Sequence, residues 1–272
     1  MGPPDRPVPP VPPRTAREVL VLILIGAIGG VLSGAFGVGG GIIMVPLLTT
    51  VAGLDHRRAS ATSLVAIIPA ALVGTVTYGL AGHLDLIAVL LIAIGGVAGT
   101  FIGTRLLRRL SIRWLRWLFI GLLLLVAVRL FFEIPVRSGV IPLTPVSIPG
   151  LLALGVIMGI ASGLFGIGGG VIVVPILVAL FGAGDLLAKG TSLLAIIPGA
   201  VTGTIRNARA GLVDVIDGTI VGVTAAAASF GGVAIASALS PQLGTILFAV
   251  LLLAATAQLL VRAIREAGHR NR

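Results

Sequence analysis

The chain has 272 residues, of which 57% are hydrophobic and only 10% charged, against the roughly 25% charged of a soluble domain. Nineteen basic and nine acidic residues leave a net charge of +10, which in a polar chain would point to nucleic acid or an acidic surface. Long uncharged stretches exclude a nucleic-acid partner, a disordered basic tail and a secreted disulfide scaffold, and leave an all-α integral membrane protein with the lipid bilayer as solvent. The absence of cysteine excludes thiolate chemistry, cysteine-ligated zinc and iron–sulfur clusters. His56, His83 and His269 fall at segment ends or in the tail, so neither a metal nor another cofactor is expected.

Residues 1–16 are Pro-rich and weakly basic, without a signal-peptide cleavage pattern, and read as an extended cytoplasmic tail. The next feature is an internal repeat. Ser33 to Pro46 reads SGAFGVGGGIIMVP and Ser162 to Pro175 reads SGLFGIGGGVIVVP, an offset of 129 residues. The same offset carries Thr62 and Ser63 onto Thr191 and Ser192, Pro69 onto Pro198, and Asp85 onto Asp214, with about half of the aligned positions identical. Residues 17–132 and 150–265 are thus two copies of one membrane unit, joined by a linker at 133–149 and followed by a short tail at 266–272.

Each copy holds five apolar segments, at about 17–36, 42–54, 59–78, 84–107 and 114–132, and at about 148–165, 171–181, 188–205, 215–238 and 243–264. A hydrocarbon core of about 30 Å needs about 20 helical residues. The second segment of each copy reaches only about 16–20 Å at 1.5 Å per residue, which makes both candidates for half-depth or re-entrant helices. With five alternating segments per copy, sixteen of the nineteen basic residues fall on one side. Arg137 and Lys189 fall in loops on the other, and Arg129 sits within a segment. The positive-inside rule makes the rich side cytoplasmic and both termini internal, and an odd segment count inverts the second copy relative to the first. A re-entrant hairpin has the same parity, so charge does not separate it from two crossings. Trp114 and Trp117, beside Arg113 and Arg116, suit the interfacial belt of that face.

The sharpest local feature is the doubled glycine tip, Gly37, Gly39, Gly40 and Gly41 with its copy Gly166, Gly168, Gly169 and Gly170. Such a run breaks a helix, and an unpaired backbone N–H in hydrocarbon costs several kcal/mol, so the tips require protein or a polar cavity around them. A short helix follows each tip, and its free N–H groups and dipole favour an anion without any cationic side chain. Ser33, Ser162, Thr62, Ser63, Thr191 and Ser192 are placed to complete that site, or else to bond their own backbones and cap the third helices. Pro46 and Pro175 in the short helices, and Pro69 and Pro198 mid-segment, are expected to kink them, shaping a cavity or a hinge. Asp85 and Asp214 open the fourth segments, where an N-cap is the plain role and proton coupling the alternative. Gly95, Gly99 and Gly103 form a small-residue ladder read as helix packing.

On the doubled motif S-G-x-F-G-[VI]-G-G-G-x-[IV]-x-V-P and the T-S-L-x-A-I-I-P that follows each copy, the sequence resembles the sulfite exporter TauE/SafE family, also called TSUP, over about residues 17–265. The resemblance implies a bacterial inner-membrane transporter for small sulfur-containing or organic anions, driven by protons, with the tip glycines, Pro46 and Pro175 as its matching positions. The expected mechanism is alternating access, one repeat rocking against the other. A passive anion channel and a non-transporting scaffold are the alternatives, and a homo-oligomer stays open. No HExxH, nucleophile elbow or paired-Asp arrangement is present, which speaks against an enzyme.

Overall fold

The computed structural model describes residues 14–131, 137 and 139–270. Residues 1–13 of the expected tail, residue 132 at the end of the first copy, linker positions 133–136 and 138, and residues 271–272 lie outside the described residues. Ten helices and no strand make up the described chain: α1 (Ala16–Phe36), α2 (Gly41–Thr50), α3 (His56–Leu80), α4 (Leu86–Arg109), α5 (Ile112–Phe131), α6 (Ser147–Phe165), α7 (Gly170–Phe181), α8 (Asp185–Ala208), α9 (Val215–Ala238) and α10 (Pro241–Arg270). Among the described residues, α1, α3, α4, α6, α8, α9 and α10 are long and apolar enough to cross a membrane. Helices α2 and α7, with 10 and 12 residues, are the short pair expected from the sequence. The chain is a multi-pass membrane protein.

Helix starts follow local chemistry. Thr15 caps α1 in a reciprocal box with Glu18. Asp55 accepts from the N–H groups of Arg57 and Arg58, Asp85 from those of Ile87 and Ala88, and Asp214 from that of Asp217. Asp85 and Asp214 therefore hold the capping role. The third helices begin three residues earlier than hydropathy suggests, at His56 and Asp185. This corrects two expectations: Thr62, Ser63, Thr191 and Ser192 lie more than a turn inside α3 and α8 and are not their N-caps, and Lys189 belongs to the first turns of α8 rather than to a loop. Helix α10 runs on to Arg270, through most of the expected tail.

The halves are interleaved rather than side by side. Helix α1 packs most extensively on α9 and α4 on α6, each pair joining the two halves, while α3 meets α9 and α8, and α8 meets α4. These contacts map onto one another when each helix is exchanged for its counterpart five places along. Small residues make the close approach. A Cβ at Gly95, Gly99 or Gly103 of α4 would strike the backbone of α6 at Leu152, Val156 or Ile160, and α1 meets α9 alike through Gly26, Gly30 and Gly34. Residue numbers rise together across both seams, so each pair is parallel. Across α3 and α8 they run oppositely: Leu64 touches Gly203, Leu193 touches Gly74 and Tyr78 touches Gly190. Helix α3 is therefore antiparallel to its own copy. Two bundles result, α1 with α3 and α9, and α4 with α6 and α8. Leu20, Leu86, Leu90, Leu125 and Phe230 stand exposed on the outside, where lipid is the matching neighbour.

Candidate functional site

Both glycine tips are buried, without interruption over residues 33–42 and 161–175. Gly37, Gly39 and Gly40 have φ of 71°, 79° and 77°, and Gly166, Gly168 and Gly169 have 70°, 74° and 84°. Three left-handed residues in four turn the chain sharply from α1 into α2 and from α6 into α7, a path that only glycine follows without strain. Gly29 of α1 lies against Gly40 and Met44, while Leu22 and Leu48 share one apolar cluster, so α2 doubles back along α1.

The two tips meet. A Cβ at Gly41 would lie 2.5 Å from the carbonyl oxygen of Gly166, and one at Gly170 would lie 2.6 Å from that of Gly37. Gly39 and Gly168 both face Ile67 and Ile196, which sit at the centres of α3 and α8. The paired tips thus occupy the middle of the molecule, and the first N–H groups of α2 and α7 are brought to one place. Their short helices put positive dipole ends there without any side-chain cap.

The expected hydroxyls divide into two groups. Ser63 donates to the Gly166 carbonyl at 2.5 Å and Ser192 to the Gly37 carbonyl at 2.8 Å, so each third helix holds the tip of the other half. Thr62 accepts from the N–H of Asp214 and Thr191 from that of Asp85, at 3.1 and 3.0 Å, pinning the loops before α9 and α4. These four hydroxyls are engaged in building the tips and loops. Ser33 and Ser162, by contrast, are buried with no hydrogen-bond partner for Oγ among the described residues, and the paired positions Thr75, which is buried, and Thr204, which is half-buried, have no partner for Oγ1. These unpartnered hydroxyls fall at matching positions of both halves, and Ser60, Asn207 and Ser229 also carry unpartnered buried polar atoms. Thr75 and Thr204 were legible only as part of the repeat.

Pro46 and Pro175 lie mid-way along α2 and α7, and Pro69 and Pro198 lie two residues beyond Ile67 and Ile196. Lacking N–H, the latter pair cannot donate to the carbonyls of Val65 and Leu194, which loosens α3 and α8 beside the tips.

Charge sits at the two ends. At the end where α1, α3 and α9 begin, Arg14 pairs with Asp214 at 2.7 Å and with Asp217 at 2.9 Å. Arg57 donates to the Leu110 carbonyl and Arg206 to Thr104 while lying over Phe101. Two cavities open there: one of about 380 Å³ lined by Arg14, Arg17, Glu18, Val51 and Asp217, the other of about 310 Å³ lined by Thr49, Asp55, His56 and Arg116. At the opposite end Arg137 and Lys189 share the Asp185 carboxylate, at 3.2 and 3.4 Å. Arg137 also donates to the carbonyls of Ala236 and Leu239. No signal in the sequence joins this cluster, because Arg137 stands 48 residues before Asp185 and Lys189 is expected in a loop. Trp114 and Trp117 are exposed at the start of α5.

Comparison with known proteins agrees with this architecture. The family model for sulfite exporter TauE/SafE matches residues 3–130 and 151–272. A "Probable membrane transporter protein" of Xylella fastidiosa (strain 9a5c) is 30% identical over 207 residues, covering 74% of this chain and 78% of that protein. A protein of the same description from Bacillus subtilis (strain 168), YunE, is 28% identical over 220 residues, covering 72% and 80%. No solved structure matches.

Proposed function

The chain belongs to the sulfite exporter TauE/SafE family, and from that premise we propose that it is a secondary transporter that moves a small anion, such as sulfite or a sulfonate, across the bacterial inner membrane by alternating access. The observation that carries this reading is the meeting of two glycine tips, each opening a short helix, inside an antiparallel pair of repeats. Their amide groups, with the hydroxyls of Ser33 and Ser162 just before the tips, offer an oxyanion hydrogen-bond donors and positive dipole ends without a fixed counter-charge. Gly37, Gly39, Gly40, Gly41, Gly166, Gly168, Gly169 and Gly170 form the backbone of the site. Ser63, Ser192, Thr62 and Thr191 position it.

The bodies that move are the two mixed bundles, not the two sequence repeats. The glycine seams fuse α1 to α9 and α4 to α6 too closely to slide. The softer contact is across α3, α8 and the tips, where Pro69 and Pro198 weaken the helices. The basic end, with the termini, faces the cytoplasm. Protons are the coupling ion, the transported anion is not chemically altered, and the site is complete within one chain.

Flux of sulfite, sulfate, thiosulfate and methanesulfonate into proteoliposomes tests the reading. The expected result is concentrative uptake of at least one anion under an imposed proton gradient, and its reduction by Gly39→Ala together with Gly168→Ala in protein that remains monodisperse. No flux above that of protein-free vesicles, or ohmic current at channel rates, would overturn it.

A further inference from the structure

The two halves are nearly equal in their glycine tips and unequal in charge beside them. Lys189 corresponds to Ser60 and Asp185 to His56 through the 129-residue offset. Gly37 packs on the backbone of Lys189 as Gly166 packs on that of Ser60. The fold therefore accepts a small neutral residue at this place. Both Lys189 and Asp185 are buried, at 7% and 5% exposure, and two charges taken out of water lose their hydration before their attraction is counted. Their separation, 3.4 Å, is long for a charge-assisted bond. Arg137 holds the same carboxylate, at 3.2 Å, so Lys189 is the second cation on one acid.

Room lies beside it. A cavity of about 30 Å³ is lined by Lys189, Asp185, Phe36, Pro175, Gly244 and Thr245, among others. It therefore touches the end of α1 at the first glycine tip and the proline of α7. A Cβ at Gly244 would be 3.8 Å from Lys189 Nζ, so the facing helix α10 presents backbone and no bulk at the ammonium.

We infer that Lys189 is an anion-contacting residue on the path between the Arg137 end of the molecule and the first glycine tip. An arriving oxyanion takes the place of the Asp185 carboxylate at Nζ, and Asp185 keeps Arg137 as its partner. The ion pair closes this end when no anion is there and is the first contact when one enters. The inference rests on the anion-transport reading and adds to it a side-chain ligand on one side only, which makes the two ends of the path unequal.

The natural absence of cysteine provides the test. Cysteine is introduced as Thr245→Cys, with Gly244→Cys as an independent second site, and labelled in proteoliposomes with sulfonatoethyl or trimethylammonioethyl methanethiosulfonate at constant ionic strength. The expected ratio of anionic to cationic labelling rates falls on the order of fivefold to tenfold with Lys189→Gln. Sulfate and methanesulfonate, which leave the reagents intact, slow labelling with Lys189 in place, more strongly in Asp185→Asn, and not in Lys189→Gln. An unchanged ratio and no protection by either anion, in folded protein, overturns the inference even if transport is normal. Intact protection in a chain that moves no anion overturns the transport reading and leaves the anion contact standing.

Discussion

Ser63 and Ser192 show how much of this molecule depends on single side chains. Each hydroxyl ties the carbonyl of a left-handed glycine on the opposite half, in the buried interior. Replacing one with alanine leaves a buried carbonyl without that donor, a loss of about 1–3 kcal/mol. We expect Ser63→Ala and Ser192→Ala each to lower the thermal unfolding midpoint in detergent, and the double variant to lower it further; wild-type stability in the double variant would remove the ties from the account. The glycines, the capping aspartates and the repeat were legible in the sequence because each is a local signal. Asp185 and Lys189 were not. The span expected at about 188–205 takes in Lys189 but not Asp185, one turn earlier, and the third member of the cluster, Arg137, comes from 48 residues before it, so no local pattern joins them.

At the scale of helices, the seams between α1 and α9 and between α4 and α6 rest on backbone approaching backbone. Gly99→Leu would drive a side chain into the carbonyl of Val156 with no flexible neighbour to yield. Loss of folded, monodisperse protein is the expected outcome. Gly121 of α5 is the control, since a Cβ there meets nothing within 4 Å. Alanine at that position should be neutral or, by about 1 kcal/mol of helix propensity, stabilising. Equal yields of the Gly99→Leu and Gly121→Ala proteins would show that the ladder is no packing seam. The spacing of Gly95, Gly99 and Gly103 announced a packed face. It did not announce α6 as the partner, because a small-residue stripe has no side chain by which a particular neighbour can be recognised.

Across the whole molecule, Arg14, Arg57 and Arg206 gather at one end while Arg137 and Lys189 stand at the other, so the charge asymmetry read from the sequence is a division in space. Reporters fused after Arg272 and inserted after Pro142 should therefore lie on opposite sides of the membrane, with the C-terminal one cytoplasmic. Both on one side would overturn the odd number of crossings per half. The number of helices and their short members were legible from length and hydropathy. How the halves are shared out was not, since a repeat shows which segments are equivalent and is silent on which ones touch.

The pairing of α1 with α9 has a consequence for how the protein is made. The glycine face of α1 leaves the ribosome well before its partner α9, with seven helices between them. Until then the first helix has α2 and α3 of its own half beside it, but not the backbone of α9 into which Gly26, Gly30 and Gly34 pack. Membrane insertion must proceed with α1 waiting in lipid or held by the insertion machinery, and the tertiary structure closes nearly all at once when α9 arrives. Chains truncated before α9 are thus expected to be inserted yet cleared by membrane proteases, and separately synthesised halves to be stable only when they are present together.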